Sequence, residues 1–231
     1  MKHTPYPENR VVATALKKVL RSARSRKLKR RINTVVMYSG GLDSVAMLAS
    51  VLQETDHKVH VHHIQIVNFE KRDNAEYEAV KKTLDYMREN YRDFDYSTSK
   101  SEFLMGKGGG TDLQLQMFIA GRLHSVLGGL VDNVLTGNQF TSFRMLSEGA
   151  ILFNAMFQRT SRRPEWLRPL YGIEKIDVYA AIPPELAKLS WSCRKPVIEE
   201  KAEGIVSTPC GKCHACQAWA TLPIKHKVLR S

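Results

Sequence analysis

The sequence predicts an α/β fold, one parallel sheet with helices on both faces, followed by a small C-terminal metal-binding module. Three observations carry this prediction. Short β-branched runs alternate with longer segments of helical period from residue 32 onward. A strand-like run passes through Ser39-Gly40-Gly41-Leu42-Asp43-Ser44 straight into a helix-like run. All four cysteines, Cys193, Cys210, Cys213 and Cys216, are gathered near the C-terminus.

The elements follow in order. Residues 8–28 carry Val12, Ala15, Leu16, Val19 and Leu20 at helical spacing, with Glu8 and Asn9 placed to cap the start. Ile32–Tyr38 is a buried strand, and Asp43–Glu54 a helix. Lys58–Phe69, "KVHVHHIQIVNF", is a second strand, in which His60, His62 and His63 mark a half-exposed sheet face and no metal site. Asn74–Tyr91 is a helix, with Ala75, Ala79, Leu84 and Met87 near one face. Phe94–Ser97 is a short third strand. Gly106–Asp112 is a loop, Leu113–Leu127 a helix stopped by Gly128-Gly129, and Val131–Thr136 a further strand. Glu148–Phe157 is helical, the chain loosens after Pro164, Lys175–Ala181 forms a short helix, and Pro183-Pro184 breaks it. The expected divisions are a basic helical arm over 1–31, an α/β domain over 32–190, and a cysteine module over 191–231.

Composition narrows the class. The chain has 231 residues, 43% of them hydrophobic, enough for one sizeable core. No apolar run is long enough for a membrane span, and the N-terminus lacks the apolar stretch of a secretory signal, so a cytoplasmic protein without membrane contact is expected. Most of the net charge of +12 sits in residues 1–31, where Glu8 is the only acid. The basic residues 17–31 are either a patch for nucleic acid or another acidic partner, or a solvated tail.

A strand that turns through Ser-Gly-Gly into a helix leaves backbone N–H groups unpaired, at the positive end of the helix. Such a turn seats an anion, a phosphate or a pyrophosphate, and Ser39 and Ser44 add hydroxyls. Asp43 does not favour a bare anion, which points to a bridging Mg²⁺ or to an orienting bond within the loop. There is no Gly-Lys-Ser/Thr ending and no G-x-G-x-x-G, so neither common phosphate loop is present. The "CGKCHAC" run, with Cys193 upstream, has the spacing of a closed tetrahedral thiolate site, structural when filled by Zn²⁺; three such cysteines can also hold an iron–sulfur cluster. Four ligands are available without His214. Lys175, Arg194 and Lys195 either face the phosphates or the substrate, or are surface cations. Trp191 and Trp219 flank the knuckle and are expected to pack against it.

"SGGLDS" resembles the PP-loop of the N-type ATP pyrophosphatases. The resemblance implies a Rossmann-like fold of the adenine nucleotide alpha hydrolase type, and cleavage of ATP between its α and β phosphates. It also implies that Tyr38, Ser39, Gly40, Gly41, Leu42, Asp43 and Ser44 bind ATP, with Mg²⁺. "SWSC" and "PCGKCHAC", with "RPLYGIEKIDVY" before them, resemble the 7-cyano-7-deazaguanine synthase (QueC) family over residues 32–220. This second resemblance implies structural Zn²⁺ on the four cysteines. The reaction it implies activates 7-carboxy-7-deazaguanine with ATP, takes up ammonia to form the amide, and uses a second ATP to form the nitrile. Asp43, Ser44 and Lys175 are the expected catalytic residues, and Arg144 and Arg194 the expected substrate-binding ones. "NFEKRD", "GGGTDLQ" and "GNQFTSFRMLSEG" depart from the family at the base pocket, and only Arg144 matches there. The rival readings are an amide-only enzyme, a PP-loop tRNA thiolase or ligase with an iron–sulfur cluster, and a nucleic-acid-binding accessory protein with an inactive fold. The expected partners are ATP, the carboxylate and ammonia, with a homodimer left open.

Overall fold

The computed structural model describes residues 10–20, 32–102, 111–138, 143–157, 163–202, 204–224 and 229–230. Five parallel strands form one sheet in the order β3-β2-β1-β4-β5: β1 (Ile32–Met37), β2 (Val59–Val67), β3 (Asp95–Glu102), β4 (Val131–Leu135) and β5 (Glu165–Leu167). The register pairs Val36 with Val61 on one side and with Leu135 on the other. Helices cover both faces. On one face lie α1 (Val11–Leu20), α2 (Leu42–Glu54) and α3 (Asp73–Asn90), with the short α6 (Lys175–Ala180) and α7 (Pro184–Leu189). On the other lie α4 (Thr111–Val126) and α5 (Phe143–Ala155). This is the Rossmann-like architecture that the alternation of strands and helices predicts.

Alternation along the central strands feeds two cores. Val36, Val59 and Val61 join Leu48, Leu84 and Met87 of α2 and α3. Val35, Met37, Ile64 and Ile66 join Met117 of α4 and Phe153 of α5. Helix α2 buries ten of its thirteen residues, so it reads as apolar nearly all round. A second, three-stranded antiparallel sheet, β6 (Val197–Lys201), β7 (Gly204–Thr208) and β8 (Leu229–Arg230), stands with α8 (His214–Ala220) at the C-terminal end. Among the described residues no helix is long and apolar enough to cross a membrane.

Several expectations are corrected. The N-terminal helix spans Val11–Leu20, and its Val12 and Leu16 are fully buried in the core that α2 and α3 share. Three apolar residues at helical spacing, Val12, Leu16 and Leu20, suffice to dock one face of this helix on the core. Lys17 pairs with Glu54. Residues 21–31, which carry most of the basic run, and the Gly106–Gly110 loop lie outside the described residues. The third strand is not the short Phe94–Ser97 but Asp95–Glu102, polar because it borders the sheet. The stretch after Pro164 is not loose but supplies β5, and α5 begins at Phe143, earlier than Glu148.

His60, His62 and His63 are buried, not half-exposed. β3 covers the edge of β2 and supplies the polar partners: Ser97 Oγ lies 2.7 Å from both His60 Nε2 and His62 Nδ1, and Ser99 Oγ lies 3.0 Å from His62 Nε2. His63 Nδ1 lies 2.9 Å from the Tyr38 carbonyl on the opposite face.

Candidate active site and cysteine cluster

In the observed strand order, β1 and β4 are neighbours whose following helices lie on opposite faces of the sheet. The crevice beyond their C-terminal ends is where ligands bind open α/β sheets. A cavity of about 390 Å³ opens there, lined on one wall by Ser39, Gly41, Leu42, Asp43 and Ser44. A smaller chamber of about 140 Å³ adjoins it; Met37, Ser39, Glu76, Gln116 and Asn138 line both.

The glycine turn is shaped from behind. Gly40 has φ +70°, and a Cβ there would stand 2.9 Å from the Val80 nitrogen and 3.2 Å from the Glu76 carbonyl. Both are backbone atoms of α3 and cannot swing aside, so any side chain at 40 pushes the turn off the helix. Gly40→Val is expected to abolish binding of an ATP analogue and to lower stability by on the order of 2–4 kcal/mol. Calorimetric titration and thermal melting check this; wild-type affinity in the variant would refute the packing argument.

Ser39 and Ser44 knit the turn. The Ser39 N–H donates to Ser44 Oγ at 3.2 Å, and Ser44 Oγ donates to the Gly41 carbonyl at 3.0 Å. Gly41 caps α2 without a side-chain bond, which leaves the first N–H groups of that helix to a ligand. Gly137, after β4, closes the turn from the other side: a Cβ there would meet Ser44 N at 3.1 Å.

Lys175, first residue of α6, donates from Nζ to Asp43 Oδ1 at 2.5 Å. Burial pushes the Asp43 carboxyl up, and the Lys175 ammonium pulls it back. Asp43 therefore orients a lysine beside the glycine turn, through a bond to α6 and not within the loop itself. Arg194 lines the same cavity. It donates to Glu70 Oε2 at 2.9 Å and to Asp112 Oδ2 at 2.8 Å, while Arg72 bonds Glu70, Glu76 and Asp112. Two guanidinium groups thus share three carboxylates beside the cavity, so each guanidinium is paired despite its burial.

Other site candidates fall differently. Gly40 acts only from behind, and Tyr38 turns its hydroxyl onto Thr83 Oγ1 at 2.7 Å, so neither lines the larger cavity. The Arg144 side chain is 88% exposed, paired along α5 with Glu148, and outside both chambers. Lys195 is exposed and lines neither chamber. Trp191 is buried with Cys193 and Cys216, as expected, whereas Trp219 is buried in the main core beside Leu222.

Sequence reasoning passed over Glu70, Arg72, Glu76, Asp112, Gln116 and Asn138. Glu70 and Arg72 lie within "NFEKRD" and Asn138 within "TGNQ", each just past a strand end, which is the position that marks site residues in this fold. Asn138 Oδ1 is buried and finds no hydrogen-bond partner among the described residues. An orphaned acceptor at the seam of two chambers calls for a ligand N–H or a water.

The C-terminal segment roofs the turn. The Trp191 N–H donates to the Gly40 carbonyl at 2.9 Å, and Trp191 Nε1 donates to the Cys193 carbonyl at 3.0 Å. The thiol sulfurs of Cys193, Cys210, Cys213 and Cys216 all lie within 4.8 Å of one another. Four thiolates around one zinc at about 2.3 Å stand about 3.8 Å apart, so the set fits a single ion. A cubane cluster would give each sulfur its own iron and spread them further. Gly211, at φ +69°, makes the sharp turn between the first two knuckle ligands. The Lys212 N–H, then that of Cys213, point at Cys210 Sγ, and with the Lys212 bond as the largest cause the Cys210 thiol falls to about 6. Burial pushes the Cys216 thiol up. The four sulfurs are close enough to share one metal ion.

No protein-family model matches the chain, and no curated protein does. Among solved structures the fold is similar to the U34-tRNA thiolase NcsA from Methanococcus maripaludis with its 4Fe–4S cluster, at a TM-score of 0.47 and 16% identity over 78% of this chain. It is also similar to NMN synthetase from Francisella tularensis, at a TM-score of 0.46 and 11% identity over 77% of this chain. The chain spans 63% of the thiolase's length and 72% of the synthetase's.

Proposed function

We propose that the protein is an ATP-dependent carbon–nitrogen ligase of the PP-loop type, acting on 7-carboxy-7-deazaguanine and ammonia. The observation that carries the reading is the Lys175–Asp43 pair set beside an uncapped helix start and a glycine turn. The turn and the first N–H groups of α2 would hold the β and γ phosphates, with Ser39 and Ser44 keeping the turn in shape. Mg²⁺ would enter with ATP as part of the substrate. A carboxylate oxygen of the base attacks the α-phosphorus, the α–β bridging bond breaks, and pyrophosphate departs. Lys175, aimed by Asp43, offsets the charge that develops on the leaving oxygen. Ammonia then adds to the acyl carbon and expels AMP, giving the amide. A second ATP adenylates the amide oxygen, and loss of AMP with protons from nitrogen leaves the nitrile. The four cysteines would hold Zn²⁺, which supplies a fixed cross-link and no chemistry.

Incubation with the carboxylate, ammonium and Mg-ATP is expected to yield AMP and pyrophosphate in equal amounts, with nitrile in the mass spectrum. Lys175→Met should lower kcat by roughly 10²–10³-fold. Accumulation of the amide alone would narrow the reading to an amide-forming enzyme. ADP in place of AMP, or no turnover, would sink it. Metal analysis separates this reading from the cluster-bearing thiolase: one zinc per chain is expected, and a brown protein with four irons would refute it.

A further inference from the structure

Helix α8 has two working faces. Cys216 and Trp219 turn inward, to the cysteine cluster and the core. His214, Ala215 and Ala218 line the large cavity, on the module that roofs the Ser39–Ser44 turn. One of these three residues is polar and two are as small as a side chain can be, so that stretch of wall is open space with a ring at its rim. Arg194, one residue past Cys193, lines the cavity from the same module. Its Nε and Nη2 are committed to Glu70 and Asp112, while its Nη1 donates to none of the described residues.

We propose that this face of the cysteine module is the wall that selects the acceptor substrate, with His214, Ala215, Ala218 and Arg194 taking a planar bicyclic carboxylate. The inference rests on the ligase reading above for which chamber ATP fills. Phosphates held at the turn leave two directions for the nucleoside. The small chamber sets Met37, Ile64, Ile66 and Leu113 against the Arg72–Glu76–Asp112 network, with Gln116 and Asn138 between them, so it offers both an apolar side and hydrogen-bonding groups to a flat base. That leaves the α8 side of the larger cavity for the acceptor. Its carboxylate meets the spare donors of Arg194, and its ring lies over the two alanines. Asn138 Oδ1, at the seam of the chambers, can accept a ring N–H. The cysteine cluster would thus fix the position of a recognition surface as well as fasten a tail, and acceptor choice would be written in positions 214, 215 and 218.

The test is calorimetric titration of the full chain, saturated with α,β-methylene-ATP, using indole-3-carboxylate and 7-carboxy-7-deazaguanine as probes and indole-3-carboxamide as the neutral control. Ala218→Phe fills the space over the helix and is expected to weaken carboxylate binding by at least about tenfold. Affinity for the ATP analogue and the metal content should stay unchanged. Ala215→Leu gives the same reading should the larger residue perturb folding. The carboxamide should bind the wild type at least about tenfold more weakly than the carboxylate. Wild-type affinities in both alanine variants, or a wild type that takes neither carboxylate, would overturn the wall. Binding of indole-3-carboxylate that is sensitive to Ala218→Phe, with no AMP formed from the deazaguanine, would retain the wall and refute the proposed substrate.

Discussion

On the proposed zinc-ligase reading, Cys213→Ser is expected to release the metal, undock residues 191–224 from the domain, and abolish binding of an ATP analogue together with activity. The size of this effect follows from what the cluster holds in place. Cys193 and Cys216 are buried with Trp191 against Ala75 and Ala79 of α3, where two small residues let the knuckle sit close to the helix. The Trp191 N–H is bonded to the Gly40 carbonyl, so the roof and the anion turn share a hydrogen bond. β6 is exposed along its whole length and cannot anchor the tail by burial. Structural zinc sites contribute on the order of 10 kcal/mol to small modules with so little core. Loss of one ligand in four should remove several kcal/mol of that and lower the melting temperature by roughly 10 °C or more. Emission from the buried Trp191 and Trp219 should shift to the red on the same transition. Lys212→Ala is the matched control, because Lys212 reaches Cys210 only through its backbone N–H. Loss of the metal with an unchanged melting curve in Cys213→Ser would mean that docking rests on packing alone.

The parts of this arrangement that the sequence made legible are local. "VVMYSGGLDSVAML" shows a strand, a turn and a helix start within fourteen adjacent residues, and the structure has them in that order. The knuckle is equally local, with three cysteines at fixed spacing and the fourth shortly upstream. The carboxylate–guanidinium network was not legible. Arg194 meets Glu70 across 124 positions and Asp112 across 82, and Lys175 meets Asp43 across 132. No pattern of residue types along the chain encodes such pairs; they follow from strand order, which brings separate strand ends to one crevice. β3 was half-hidden for a different reason. "DYSTSKSE" lacks an apolar alternation because its partners are histidines of β2 and not a hydrophobic core. The same pairing explains why His60 and His62, whose alternation suggests a wet sheet face, proved to be buried: each found a hydroxyl instead of water.

That dry histidine row gives the second large effect. Stability is expected to fall as pH drops from about 6.5 toward 4, before the carboxylates titrate in bulk. His62 is held down to about 4, first by burial and then by His60 and His63 on either side of it. Burial likewise lowers His57, His60 and His63. A group whose folded value lies below its unfolded value of about 6.5 binds its proton more readily when the chain unfolds. Its contribution is therefore complete above about 6.5 and disappears as pH falls through the folded value. For His62 the difference corresponds to on the order of 3 kcal/mol. Acid also protonates the cysteine ligands, so the wild type alone cannot separate the two causes. His62→Gln can: it keeps a side chain able to bond Ser97 or Ser99, removes the titration, and leaves the cysteines as they are. The gap between the urea unfolding free energies of wild type and variant should narrow by on the order of 3 kcal/mol between pH 7 and pH 4. A gap that stays constant across that range would assign the acid sensitivity to the cysteine cluster and not to the sheet.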